Sequence, residues 1–205
     1  MKRLLISLLI FLLMGMGIWW LQRSSSEVPK SNEPLKISKT QLFLKKLKSI
    51  SSSNIPSKIF LTELLESEIN AFLKHEGEQY FPSGVSQIQV NFQQDIVVCK
   101  FLVDFDELRS SLNRPSTPLM TVLFTGKHAL KIEIRATTEN GTGRYELLSV
   151  LLNEQQVPKV FINFLLENYV FPRYPEAKPN TSFDLPFKIK TVCIQLGKVL
   201  VEQIP

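Results

Sequence analysis

The sequence predicts an α+β fold: a curved antiparallel meander sheet wrapped around a largely buried helix, preceded by an N-terminal transmembrane helix. Three observations lead there. Leu4 to Leu21 form an almost unbroken apolar run after Met1-Lys2-Arg3. Alternating apolar segments follow one another across short turn signals, as antiparallel hairpins require. After Pro158, nine of the twelve residues from Val160 to Phe171 are apolar.

The eighteen residues of the first run make about 27 Å of helix, close to the roughly 30 Å hydrocarbon core of a bilayer. Trp19-Trp20 close the run, and paired indoles suit the membrane–water interface. A cleaved signal peptide has a shorter apolar region and a small-residue cleavage site. Ile18 to Arg23 contain no such site, so residues 1–23 read as an uncleaved single-pass anchor. No Cys follows the run, which excludes a lipoprotein anchor. Lys2, Arg3 and the free amino group outweigh Arg23, so the N-terminus is expected in the cytoplasm. The C-terminal bulk is then expected on the periplasmic side of a bacterial inner membrane.

Charge separates the tether from the domain. The chain totals +5, yet residues 51–205 carry 15 basic and 17 acidic side chains, a balance of −2. The positive excess lies beside the anchor, where each Lys gains on the order of 1 kcal/mol near anionic head groups. A near-neutral domain argues against nucleic acid. Residues 24–57 read as a linker: Gln22 to Ser38 is rich in Ser, Pro and Lys. Thr40 to Ile50 then places Phe43, Leu47 and Ile50 at helical spacing, with Lys45, Lys46 and Lys48 on the remaining face. Such a helix either lies on a bilayer or packs on the domain edge with solvated lysines; the second is the commoner outcome.

Residues 58–205 read as a single extracytoplasmic α+β domain. Ile59-Phe60-Leu61 suggests a short strand. A helix is predicted from about Glu63 to Glu76, capped by Thr62 and ended by Gly77, with Leu65, Ile69, Phe72 and Leu73 on one stripe. Ile88, Val90 and Phe92 alternate with polar residues, and Val97, Cys99, Phe101, Val103 and Phe105 form a second alternation. Asp106 to Leu112 is helix-like. Pro115 to Pro118 mark a loop, and a short apolar helix is expected over Leu119 to Phe124. Two long strands follow, with His128, Leu130, Ile132, Ile134 and Ala136 inward on one and Tyr145, Leu147, Ser149 and Leu151 on the other. Asn140-Gly141 joins them as a hairpin turn. Gly197 marks a last hairpin between Lys188–Leu196 and Lys198–Glu202.

Pro158 suits the first position of a helix. In the helix after it, Lys159, Asn163 and Glu167 form one narrow polar stripe, so most of its circumference should be buried. Either the sheet wraps it as core, or sheet and helix leave an apolar groove for an acyl chain. The groove would be lined by Val160, Phe161, Phe164 and Leu165, with Phe101 and Leu147 from the strands.

This order of elements resembles that of small membrane-anchored extracytoplasmic domains related to the tubular lipid-binding (TULIP-like) superfamily. The resemblance rests on Leu64-Leu65-Glu66-Ser67-Glu68-Ile69-Asn70-Ala71-Phe72-Leu73, the paired long strands, the apolar helix and Phe171-Pro172-Arg173-Tyr174-Pro175. It covers roughly residues 58 to 203. It implies a long curved antiparallel sheet cradling a helix, with lipid or envelope-polymer contact, and it supplies no catalytic residues.

Chemistry for an enzyme is sparse. His75 and His128, the only two histidines, have no partners at metal-ligand spacing, so neither a metal nor a cofactor is expected. Asp104, Asp106 and Glu107 form the densest acidic group; alternation points Asp104 outward, and Asp106 sits where a helix cap is wanted. Nucleophile-elbow and phosphate-loop patterns are absent. Cys99 and Cys193 are either a disulfide, given an oxidising compartment, or two small buried hydrophobes. Asn140-Gly141-Thr142 and Asn180-Thr181-Ser182 match the glycosylation sequon, but turn chemistry explains both. Two non-catalytic expectations lead, with an enzyme as a third. One is a lipid-contacting envelope domain. The other is a solid-cored scaffold that meets envelope proteins through a rim at Phe171, Arg173 and Tyr174.

Overall fold

The computed structural model describes residues 38–51, 59–112, 125–167, 171 and 178–204. The expected anchor, the linker before Ser38, the Pro115–Pro118 loop and the Leu119–Phe124 helix lie outside the described residues. Among the described residues, no helix is long and apolar enough to cross a membrane.

The fold is α+β, with two antiparallel sheets and few helices. In chain order the elements are α1 (Lys39–Ser51), β1 (Phe60–Leu65), α2 (Glu66–Phe72), β2 (Val85–Gln93), β3 (Ile96–Asp104), α3 (Phe105–Leu112), β4 (Lys127–Glu139), β5 (Thr142–Leu152), β6 (Gln155–Gln156), α4 (Lys159–Leu165), β7 (Phe183–Asp184), β8 (Ile189–Gln195) and β9 (Lys198–Gln203). The larger sheet runs β2-β3-β4-β5-β6, with β7 also on β5. From β2 to β6 its neighbours are consecutive in sequence, as the hairpin signals predicted, and β7 alone departs from that order. Asn140 and Gly141 both take positive φ, the conformation that a two-residue primed turn demands. The smaller sheet runs β1-β9-β8.

One main core lies between the sheets. α1 gives it Phe43, Leu47 and Ile50, and α2 gives it Ile69 and Phe72. Phe43 and Phe72 meet at 5.3 Å between ring centroids, and Tyr80 stacks on Phe72 at 5.9 Å. The apolar stripe of α1 therefore faces the domain, and the helix belongs to the folded unit. Gln203 secures it from the last strand, its Nε2 donating to Ile50 O at 2.8 Å and Phe187 O at 2.9 Å. Glu68, only 4 % exposed, takes both carboxylate oxygens to Lys46 Nζ at 2.7 and 2.8 Å. Burying that carboxylate requires such a partner.

The structure departs from the sequence reading in four places. Thr62 caps no helix: Phe60 to Leu65 pair residue for residue with Gln203 to Lys198, and helix starts only at Glu66. There Glu68 accepts the Leu65 N–H at 3.2 Å, the part of a capping box that carboxylate side chains perform. Asp104, not Asp106, caps α3, its Oδ1 accepting the N–H groups of Asp106 and Glu107 at 3.1 Å each.

The inward phase of β5 changes partway. Ile134 opposes Leu147, but Glu133 opposes Ser149, so Leu148 is an extra residue in a β-bulge. Beyond it Val150 and Leu152 face Ile132 and Leu130, in place of the expected Ser149 and Leu151. A bulge inserts one residue and inverts the alternation after it.

The fourth difference concerns the helix after Pro158. The expected largely buried helix is not α4, which has no buried residue; Val160 is 77 % exposed. Pro158 is its N-cap rather than its first helical residue. α1 and α2 already fill the space between the sheets. α4 instead covers one end of the larger sheet, with Phe161 and Ile162 half-buried on the main core and Leu166 buried just after it.

Among the described residues, no strand lies on the outer edge of β2, and side chains supply the missing ladder. Asn70 Nδ2 donates to Val90 O at 2.7 Å while its Oδ1 accepts the Val90 N–H at 2.8 Å. Glu66 Oε2 accepts the Phe92 N–H at 2.8 Å, and Phe92 O accepts the Gly197 N–H at 3.1 Å. Replacing Asn70 by Ala strands both Val90 groups. The expected loss is about 2–4 kcal/mol, read as a lower urea midpoint with unchanged slope. A loss under about 0.5 kcal/mol means that water or a neighbour serves those groups equally well.

Candidate functional site

Burial along the inner face of the larger sheet falls off toward α4. The cross-strand row Cys99–Ile132–Val150 is fully buried. The next row, Phe101–Leu130–Leu152, is half-buried. Phe164 and Leu165 of α4 pack there, with Leu108 and the buried pair Val103 and Phe105. This end is a second, smaller apolar cluster where large side chains meet without closing off from solvent.

The predicted groove residues are thus partly assembled. Phe101, Phe164 and Leu165 share this cluster, and Phe161 packs beside it against the main core. Leu147 lies two rows along, opposite Ile134. Val160 points into solvent. Of the expected rim, Phe171 is half-buried, its N–H donating to Leu166 O at 2.8 Å; Arg173 and Tyr174 lie outside the described residues.

The titratable groups beside this end are committed to structure. His128 has Nε2 2.7 Å from Thr125 O and Nδ1 2.8 Å from Asn153 Nδ2. A carbonyl only accepts, so Nε2 carries the proton and Nδ1 receives the amide. Its ring meets Phe105 edge-on at 5.7 Å. Asp106 Oδ2 accepts the Gly126 N–H at 2.8 Å, and that bond, with Arg109 beside it, holds its carboxyl below the usual range. Among the described residues, no three His, Cys, Asp or Glu side chains converge as metal ligands. His75 is exposed on the irregular turn after α2.

A concavity, polar and unforeseen, opens on the opposite face of the larger sheet. It holds about 390 Å³ between β2–β4 and the β8–β9 turn, lined by Glu66, Asn91, Val98, Lys100, Lys131 and Leu196 among others. Lys100 sits directly across from Lys131 in the β3–β4 register. Val98 points to this outer side by alternation, yet is 4 % exposed, so the hairpin tip shelters the cleft floor. Leu196 stands on the rim at 81 % exposure. No local signal announces this cleft, because its lysines become neighbours only through strand register.

Compared with family models, curated proteins and solved structures, the chain matches none.

Neither Cys99 nor Cys193 is in a disulfide. Cys99 is buried opposite Ile132, and burial pushes its thiol up, while Cys193 is half-buried opposite Leu200. Cys193 is expected to react with a maleimide in the native protein at least about tenfold faster than Cys99. Peptide mapping checks this, and equal rates would contradict the buried placement of Cys99.

Proposed function

We propose that this chain is a non-catalytic, single-pass membrane protein of the bacterial envelope whose periplasmic domain contacts acyl chains beside the bilayer. The Leu4–Leu21 run, its flanking charges and Trp19-Trp20 support the anchor and its orientation. Bulges at Ser86/Gln89 and at Glu133/Ile134 support a curved sheet, since a bulged strand bends and twists more strongly.

The observation that carries the lipid reading is the incompletely closed apolar end of that sheet. Phe101, Leu130 and Leu152 lie under Phe164 and Leu165 without full burial, and Val160 projects beside them. Sealing this row completely would gain about 25 cal/mol for each Å² removed from water. An acyl chain entering between α4 and the strands would collect that gain. The helix is also short, seven residues, so tilting it disrupts few backbone hydrogen bonds.

The alternative is a scaffold that meets envelope proteins. It is favoured by Ile59, Leu61 and Leu65, all exposed along β1, which pairs with β9 on one edge only. An edge strand with apolar outward side chains accepts an added strand from a partner.

Photocrosslinking separates the two. A benzophenone amino acid in place of Phe164, in the full chain in native membranes, is expected to yield lipid adducts. The same group in place of Leu61 is expected to yield none or few. Protein adducts at 61 with no lipid adduct at 164 would turn the conclusion to the scaffold. As a second check, Phe164→Asp should abolish the lipid adducts of a benzophenone at Leu165 while leaving the unfolding midpoint within about 1 kcal/mol, since the side chain is only half-buried.

A further inference from the structure

We propose that the polar cleft between β2–β4 and the β8–β9 turn is a binding site for a phosphate-type anion, presented by a lipid head group. The anion site stands on its own geometry; its lipid source rests on the membrane-held reading above.

Two ammonium groups directly across an antiparallel pair repel each other, and the sheet bears that cost when nothing lies between them. Lys131 is answered in part by Glu133 at 2.6 Å. Lys100 forms no ion pair among the described residues. Glu66, the other acid of the cleft, is already engaged: its Oε1 accepts from Asn91 Nδ2 at 2.9 Å and its Oε2 from the Phe92 N–H at 2.8 Å. Those donors are neutral, so Glu66 keeps its charge, but among the described residues no ion pair joins it to either lysine. The cleft therefore holds, in about 390 Å³, a lysine with no carboxylate in ion-pair contact, set across the strands from a second lysine. A phosphate oxygen placed between Lys100 and Lys131 relieves the repulsion and takes a charge-assisted hydrogen bond from each.

Leu196 indicates what carries the phosphate. Tight turns favour Gly, Asn, Asp and Ser, yet this turn places a leucine beside Gly197, whose positive φ lets the chain reverse. Buried nowhere in the domain, Leu196 gains only by meeting something apolar outside it. An amphiphile supplies both parts, its phosphate to the lysines and the start of its acyl chain to Leu196.

Lysine acetylation followed by mass spectrometry on the full chain tests this in three settings: detergent micelles with inorganic phosphate, nanodiscs of phosphatidylcholine, and nanodiscs of phosphatidylcholine with phosphatidylglycerol. Exposed Lys127 serves as the internal reference. Labelling of Lys100 is expected to fall about fivefold in the phosphatidylglycerol discs relative to phosphatidylcholine alone. Inorganic phosphate should give weaker protection, lost in Lys131→Gln. Leu196→Ser should remove most of the lipid protection and leave the phosphate protection intact. Protection by phosphate without any by phosphatidylglycerol overturns the lipid source. Equal labelling of Lys100 in all three settings overturns the site. If the chain fails to enter nanodiscs yet phosphate still protects Lys100, the membrane reading falls and the anion site survives.

Discussion

The free edge of β2 is the constraint on which the arrangement depends. A six-stranded sheet ending there would leave the Val90 and Phe92 peptide groups facing an apolar interior, and such orphaned groups are costly. The fold resolves this without another strand. Asn70 reproduces a ladder rung with its amide, and Glu66 takes the next N–H. The β8–β9 turn closes on Phe92 O. These bonds fix α2 against β2, and α2 carries the Phe72 ring around which α1 and Tyr80 pack. Hydrogen bonding at one edge thereby positions the aromatic centre of the core.

A second join, at the turn end of the larger sheet, explains how two sheets share one interior. β8 is joined to the larger sheet by scattered bonds rather than a ladder. Thr138 Oγ1 donates to Val192 O at 2.9 Å and accepts the Val192 N–H at 2.7 Å, and Asp95 N–H reaches Ile194 O at 3.2 Å. A seam made this way lets the sheets meet at an angle that a continuous ladder would forbid. It also leaves a notch on the outer side, between the turn at Gly197 and the lysines of β3 and β4. The cleft is a by-product of the join.

Local pattern carried much of the fold. Alternation located β2, β3, β4 and the β8–β9 hairpin, because a half-buried strand must repeat every two residues. Asn140-Gly141 located the sharpest turn. Phe43, Leu47 and Ile50 were readable as a helix stripe, although not as core, since periodicity says that a face is buried and not what buries it. What failed was non-local. Thr62 looked like a cap because its ladder partner, Val201, lies at the far end of the chain. Leu148 gave no sign of being a bulge. The apolar helix after Pro158 looked the best candidate for the centre until α1 and α2 were seen to occupy it. Of the candidate site, Phe101, Phe164 and Leu165 were legible as apolar neighbours; Lys100 and Lys131 were not, because only register brings them together.

The pairing of β1 with β9 has a consequence in time. The strand formed by Phe60–Leu65 has Lys198–Gln203 as its partner, and Ile50 O, at the end of α1, waits for Gln203. A polypeptide made or threaded from its N-terminus exposes α1 and β1 first and completes their partner last. Closing so long a loop is slow, and until it closes α1 and α2 have each other but β1 lacks the strand that completes its pairing. The order of synthesis thus sets a period in which Leu64 and the end of α1 stand without the strand that finally covers them.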